Sequence, residues 1–402
     1  MNHDVAVVGG ALVGATLACA LGRAGLRVAV IEASERTPPP EETWDLRVSA
    51  ITESSRRILG TLDVWRRLAP ERLAAFHEMH VWDATGNGAI HFDAADIGAA
   101  SLGHIVENGR LQRALEARMA ELDTVKVYRP ARLGALDVGA RHATLGVDGV
   151  RLRARLVVGA DGTHSRVREA AGITSEVRDY AQRAVVATVS VELPHRDTAW
   201  QRFLPTGPLA FLPLPGRLCS IVWTTTPEHA VELVEMPAEA FARAVTTAFE
   251  ARLGEVRLAG GRASFPLLAL HATRYVAERI ALVGDAAHTV HPLAGQGVNL
   301  GLQDAAALAE IVELACSRGR DPGRLGALRR YERWRKGRNR LMQNILSGFQ
   351  WLFGSSAEPV RLARNLGLAL ADSMPALKRR FMRFASGVAG DVPRLAQKGG
   401  DG

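Results

Sequence analysis

Asp4-Val5-Ala6-Val7-Val8-Gly9-Gly10-Ala11-Leu12-Val13-Gly14 is the stretch on which the fold turns. Val5-Ala6-Val7-Val8 is a short apolar run that suits a strand buried on both faces in a parallel sheet. The glycines follow at once. A helix-like stretch then runs from Leu12 to about Gly25, with Leu12, Ala15, Leu17, Ala18 and Leu21 available for packing. A second strand, Arg27-Val28-Ala29-Val30-Ile31, ends in Glu32. Strand, glycine turn, helix, strand and acid together read as a dinucleotide-binding unit.

The physics asks for these residue types. Gly9 and Gly10 open a sharp turn, small Ala11 lets the backbone approach a pyrophosphate, and Gly14 lets helix and strand pack closely. The helix N-terminus offers free N–H groups and partial positive charge to the phosphates. Glu32 can accept hydrogen bonds from a ribose diol. It would repel a 2′-phosphate, so the adenosine of FAD or NAD fits better than that of NADP. Ala11 stands where the fingerprint has its middle glycine, which allows a slightly less close approach.

Two further segments repeat the theme of an apolar strand ending in Gly and Asp. Ala154-Arg155-Leu156-Val157-Val158-Gly159-Ala160-Asp161-Gly162 runs on into Thr163-His164-Ser165. This is either a second cofactor segment or a plain strand–turn–helix connection capped by Ser165. Arg279-Ile280-Ala281-Leu282-Val283-Gly284-Asp285 leads into Pro292-Leu293-Ala294-Gly295-Gln296-Gly297-Val298-Asn299. A carboxylate at a strand's carboxyl end can hold a ribityl hydroxyl. A Gly-x-Gly turn entering a helix can bring backbone N–H groups to a flavin edge, and the helix dipole favours negative charge there.

Composition narrows the class. The chain has 402 residues, 47% hydrophobic and 23% charged, which is ordinary globular usage. Its three cysteines, Cys19, Cys219 and Cys316, form no Cys-x-x-Cys, so neither a metal site nor a disulfide framework is expected. They fit a reducing cytosol. No apolar run has the length of a spanning helix, and the N-terminus lacks signal-peptide features. A cytoplasmic protein, docked at most peripherally on the inner membrane, is expected. The net charge of +8 is unevenly placed: residues 317–402 hold 18 Lys and Arg against 6 Asp and Glu. Residues 318–340 alone hold ten cations. Aromatics interleave with cations in Phe349-Gln350-Trp351-Leu352-Phe353 and Leu377-Lys378-Arg379-Arg380-Phe381. That pattern suits either a helix on an anionic membrane or a solvated face with a dimer or domain contact. No nucleic-acid recognition motif accompanies it.

The dinucleotide unit and the two Gly/Asp segments resemble the group A flavoprotein aromatic monooxygenases of the para-hydroxybenzoate hydroxylase fold. The run from His291 to Asp304 is similar to the signature of the ubiquinone-biosynthesis hydroxylase branch. Asp45-Leu46-Arg47-Val48, Gly103-His104-Ile105-Val106-Glu107-Asn108, Trp200-Gln201-Arg202-Phe203 and Tyr331-Glu332-Arg333-Trp334-Arg335 agree with it, so the likeness covers almost the whole chain. The resemblance implies FAD as cofactor, with Arg47 beside the flavin or its pyrophosphate and Gln112 also in contact. It implies that Asp161 serves FAD and a passing NAD(P)H, and that Asp285 binds the ribityl chain. Pro292, Gly295, Gln296, Gly297 and Asn299 would line the isoalloxazine. No catalytic base is assigned: His288 and His291 are either proton relays or structural histidines.

The expected architecture is α/β: a Rossmann-like FAD-binding domain (1–79, 105–179 and 272–316), an inserted mixed β-sheet substrate domain (80–104 and 180–271) and a basic C-terminal helical region (317–402). One helix is expected over about 237–253. Trp200, Phe203, Phe211 and Trp223 are expected either to line a cavity over the flavin or to pack the core. With no second dinucleotide unit, NAD(P)H would visit only transiently. The reaction implied is hydroxylation by O2, through a flavin C4a-hydroperoxide, of the ring of a polyprenyl phenol. Membership of a ubiquinone-biosynthesis complex goes with that reading. The alternatives are a small soluble phenol as substrate, or a non-catalytic flavin-binding subunit of such a complex.

Overall fold

The structure is a computed structural model that describes residues 2–35, 43–291, 295–354, 358 and 374–397. The N-terminal apolar run forms β1 (Asn2–Val8) at the centre of a parallel sheet. β2 (Val28–Ile31) and β8 (Val125–Tyr128) extend it on one side. β11 (Val150–Gly159) and β18 (Ile280–Leu282) extend it on the other. These four ladders are parallel, so the strands are buried on both faces, and Val5, Ala6 and Val7 have no solvent contact. β17 (Val276–Ala277) pairs antiparallel with β18 at the edge. β9 (Leu133–Val138) and β10 (Ala143–Val147) continue β11 as an antiparallel extension.

α1 (Leu12–Arg23) follows β1 and packs against both α3 (Asn108–Ala120) and α7 (Gln296–Ser317). Their small and branched residues join the strands in one large core. Each fully buried Val, Leu or Ile there contributes about 1.5–3 kcal/mol of transfer free energy. A short sheet of β3 (Val48–Ile51), β7 (Gly103–Glu107) and β4 (Ala74–Phe76) touches α7 through β3. α2 (Glu53–Thr61) leaves β3 directly, and α4 (Arg166–Ala170) follows β11.

The second large sheet runs β6 (Ala89–Asp93), β5 (Glu78–Asp83), β13 (Thr198–Leu204), β14 (Gly207–Pro213), β15 (Leu218–Thr225), β12 (Ser175–Val191), β16 (Val256–Ala272) and β19 (His288–Thr289). Its ladders are antiparallel except for β5 on β13. The Gly86-Asn87-Gly88 turn closes the β5–β6 hairpin, as its composition predicts. Two helices pack on this sheet where the sequence suggested one: α5 (Pro227–Glu235) and α6 (Ala238–Ala248). Thr226 caps α5, its hydroxyl accepting from His229 N, and Pro227 takes the first helical position. α6 ends before 253 because Glu250 and Ala251 adopt left-handed backbone conformations. Phe211 and Trp223 belong to the core beneath these helices, with Phe241 and Phe249.

α8 (Leu325–Gly354) and α9 (Pro375–Ala385) complete the described chain. α8 lies against β13 and β14, where Phe353 stacks on Phe203 with ring centroids 3.6 Å apart. α9 is tied by Lys378 to Asp96 (3.4 Å), just past β6, and its Phe381 lies beside Phe92 of β6 and Phe349 of α8.

His271 on β16 faces His288 across the β16–β19 ladder and is buried. Burial, then the charges of Arg340, His288 and Lys336, pushes its pKa down to about 4. The unfolded chain therefore takes up a proton between about pH 6.5 and 4 that the folded chain refuses, and stability falls as pH drops through that window. Thermal melts between pH 7 and 4 are expected to show this slope. His271→Gln is expected to flatten it by on the order of 2 kcal/mol; His291, also lowered to about 4 by burial, and His3 and His104, lowered as well, add slope of the same sign.

Candidate active site

The glycine turn is built by contacts that no side chain could share. Gly9 sits at φ +98°, and a Cβ there would lie 2.2 Å from Ala160 O. A Cβ on Gly14 would lie 1.9 Å from Gly9 O, so α1 rests directly on the turn. Gly10 N donates to Glu32 Oε2 at 2.7 Å, tying the turn to the end of β2. Glu32 Oε1 accepts from Ser34 N at 2.9 Å. Ala11 is the N-cap of α1, with no side chain capping it and no acid in the first turn. The open N–H groups and the positive end of the helix dipole are left to meet an anion.

Gln112 reaches the same turn from α3. Its Nε2 donates to Gly10 O at 2.9 Å and to Glu116. Its Oε1 is buried and has no hydrogen-bond partner among the described residues. A buried orphan acceptor costs about 1–3 kcal/mol and calls for a donor. Asp161 also lies against the turn, since a Cβ on Gly9 would meet Asp161 N. Its carboxylate accepts from Ser165 Oγ (2.5 Å) and Val167 N (3.2 Å), and Ser165 caps α4. The connection reading of that segment therefore describes its side chains.

Asp285 stands on the turn between β18 and β19 and is exposed, while Gly284, Ala286, Ala287 and His288 around it are buried. Crowding by protein nonetheless raises its carboxyl above the usual range, opposed by the charges of His288 and Arg47. Arg47 is exposed, and its guanidinium lies over the Phe265 ring at 5.3 Å.

Gly295 takes a left-handed conformation (φ +61°) as N-cap of α7, again with no acid in the first turn. Among the described residues, a Cβ on Gly297 would have nothing nearer than Val290 Cγ2 at 3.8 Å. Asn299 departs from the side-chain contact that the resemblance implies. It is buried; its Oδ1 accepts from Thr52 N and Oγ1, and its Nδ2 donates to Ala50 O and Gly295 O. Its full complement of hydrogen bonds is internal, so it locks α7 to the β3–α2 junction. Pro292 lies outside the described residues.

Sequence reasoning missed Asp304 and Arg335. Both are fully buried, and Arg335 Nε donates to Asp304 Oδ1 at 2.8 Å. The ten cations of 318–340 are thus not all on the surface. Burial pushes the Asp304 carboxyl up, but the charges of His288 and Arg335 and the hydrogen bonds of His288 and Asn339 outweigh it and hold the pKa at about 2. Asp304 closes the His291–Asp304 signature and Arg335 ends the Tyr331–Arg335 segment, but neither pattern assigns the residue a role. His288 is the structural histidine of the two readings, bonded through Nε2 to Asp304. His291 is buried with its ring edge-on to Tyr180.

Beyond Gly295 and Gln296 opens a cavity of about 1290 Å³. Its walls come from β3, α2, the second sheet, α8 and α9, and are mostly apolar. Trp200 and Phe203 line it; Phe211 and Trp223 do not.

A parallel sheet with a glycine cradle, an orphan acceptor beside it and an exposed carboxylate between buried neighbours define a dinucleotide-binding flavoprotein, and these residues fit FAD. The FAD binding domain model matches residues 2–342. The chain belongs to that family and is a flavoprotein monooxygenase of the group A type. It is 42% identical to ubiquinone hydroxylase UbiL of Rhodospirillum rubrum over 98% of this chain and 92% of that protein. It is 38% identical to the 3-demethoxyubiquinol 3-hydroxylase of Escherichia coli over 96% of this chain and 98% of that protein. The crystal structure of PqsL from Pseudomonas aeruginosa superposes with a TM-score of 0.75 at 25% identity, covering 92% of this chain and 100% of that one.

Gly14→Ala tests the cradle. Overpacking against the Gly9 carbonyl is expected to lower stability by about 1–3 kcal/mol. The purified variant is expected to lose most of its flavin absorbance, read together with its melting temperature.

Proposed function

We propose that this protein hydroxylates the aromatic ring of a polyprenyl phenol in ubiquinone biosynthesis, using FAD, O2 and NAD(P)H as a transient reductant. The observation that carries the substrate class is the cavity. At about 1290 Å³ it exceeds the roughly 300–1000 Å³ of ordinary small-molecule sites. Its lining includes Gly295 and Gln296, at the start of α7, and Phe349, Leu352, Phe381 and Phe384 of α8 and α9. A phenol head at Gln296 would leave an isoprenoid tail among those side chains. A small soluble phenol would leave most of the volume unfilled. The names of the two relatives agree with a quinone-pathway substrate.

When bound, reduced FAD supplies the activation of dioxygen, with one oxygen atom going to the ring and the other leaving as water. The chain's residues bind and orient. The 9–14 turn and the α1 N-terminus hold the pyrophosphate, Glu32 accepts from the adenosine ribose, and Gln112 Oε1 takes a cofactor hydroxyl. Arg47 lies beside the cofactor. Asp285 accepts from the ribityl chain. Gly295, Gln296 and Gly297 present the α7 N-terminus to the flavin edge, where its dipole stabilises negative charge. Asn299 fixes that edge from behind. The apolar cavity walls keep water from the reacting oxygen and orient the ring. No side chain is assigned as a base.

Substrate docking would occur at an anionic membrane. Leu377 and Phe381 are exposed and line the cavity, next to Arg379, Arg380 and Arg383, and Trp351 is exposed on α8. No helix among the described residues is long and apolar enough to cross a membrane. Such a surface lies in the headgroup plane.

Two measurements check this. NAD(P)H oxidation by the FAD-loaded protein is expected to be stimulated more by long-chain prenyl phenols than by short ones, and Ile345→Trp, which narrows the cavity, to erase that preference. Equal stimulation by an unprenylated phenol would overturn the substrate class. The protein is also expected to float with anionic vesicles, and Arg379→Glu/Arg380→Glu to float several-fold less at about 0.1 M salt.

A further inference from the structure

Asp304 is fully buried, yet its two oxygens are divided between two tasks. Oδ1 accepts from Arg335 Nε (2.8 Å) and Asn339 Nδ2 (3.0 Å), both on α8. Oδ2 accepts from Gly284 N (3.3 Å) and from His288 Nε2. Gly284 and His288 bracket Asp285. One carboxylate oxygen therefore grips both ends of the turn that carries the exposed Asp285. From the far side, Arg168 Nη1 donates to Ala286 O at 2.9 Å. Arg335 is itself pinned, its Nη1 to Gln303 Oε1 and its Nη2 to Asn339 Oδ1, each at 3.0 Å.

We propose that Asp304 is the positioning residue that sets Asp285 for the cofactor, and that Arg335 and Asn339 hold Asp304 to that task. This rests on the reading that Asp285 binds FAD. A buried ion pair is a poor device for stability alone, because well-packed apolar residues of equal volume do as well or better. What apolar residues cannot do is accept hydrogen bonds from a backbone N–H and an imidazole at once. Here those two bonds converge on the turn bearing the one exposed carboxylate between Gly284 and His288. The inference also gives α8 a second task. Its first half supports the cofactor turn, and its second half, through Met342, Leu346 and Phe349, walls the substrate cavity.

The test is FAD affinity, measured by fluorescence on apoprotein, beside the apoprotein's melting temperature. Asp304→Leu alone leaves Arg335 without its counter-charge and can fail to fold, so Asp304→Leu/Arg335→Met, which removes both charges and the oxygen that accepts from Gly284 N and His288 Nε2, is compared with it. The double variant is expected to melt near the wild type but to bind FAD about 10–100-fold more weakly, the scale on which outer-shell partners act at metal centres. His288→Ala is expected to weaken FAD in the same way. His288→Gln, which keeps a donor near Nε2, is expected to restore it.

A merely structural role predicts that the losses multiply. Under the proposal, the Asp304→Leu/Arg335→Met pair is expected to add almost no further loss in an Asp285→Ala background, because both act through one contact. Full multiplication of the two losses, or wild-type FAD binding by His288→Ala or by the double variant, would overturn the inference. Wild-type FAD binding by Asp285→Ala alone would instead sink the reading beneath it.

Discussion

α1 can lie across the end of the parallel sheet only because Gly14 has no side chain. A Cβ there would fall 1.9 Å from Gly9 O, far inside any van der Waals contact. That contact aims the α1 N-terminus past the carboxyl end of β1, at the point where open α/β sheets take their ligands. The same economy of side chains recurs one layer out. α7 approaches α1 through Gly301, whose Cβ would lie 2.5 Å from Val13 Cγ2, and Gly284 faces the same Val13. The phosphate turn, the Asp285 turn and the start of α7 are therefore stacked on one valine, and any shift of α1 would move all three.

Around this stack the protein sets polar groups with nothing to spare. Asn299 uses every hydrogen-bonding position inside the protein, and Asp304 accepts from four partners. Gln112 Oε1 is a buried acceptor left open beside the phosphate turn. The substrate side follows the opposite rule: a large apolar space walled by a twisted sheet and two helices, where volume and water exclusion matter more than directed bonds.

Much of this was legible in the residues. The β1–α1–β2 unit announces itself because a parallel strand is a continuous apolar run and a phosphate turn needs glycine at set places. The β12 and β15 runs are β-branched and read as strands. α5 was not anticipated, although Thr226-Pro227 is a start signal, and the one helix expected over about 237–253 corresponds to α6. Asp161 shows why a motif underdetermines a role: Asp-Gly after a strand serves equally as a helix cap or a ligand, and its carboxylate caps α4.

The sequence by itself determined the α/β class, the dinucleotide unit and the flavoprotein family, because each depends on short-range periodicity and on backbone positions only glycine can fill. Tertiary structure alone decided which charges are buried. Arg335 belongs to a run of cations that reads as a membrane-facing or solvated surface, and only the packing of α8 on α7 brings it to Asp304, 31 residues away in the chain. The cavity is likewise a tertiary fact. Its walls come from β3, α2, the second sheet, α8 and α9, and a void bounded by segments so distant in sequence leaves no local pattern in any of them.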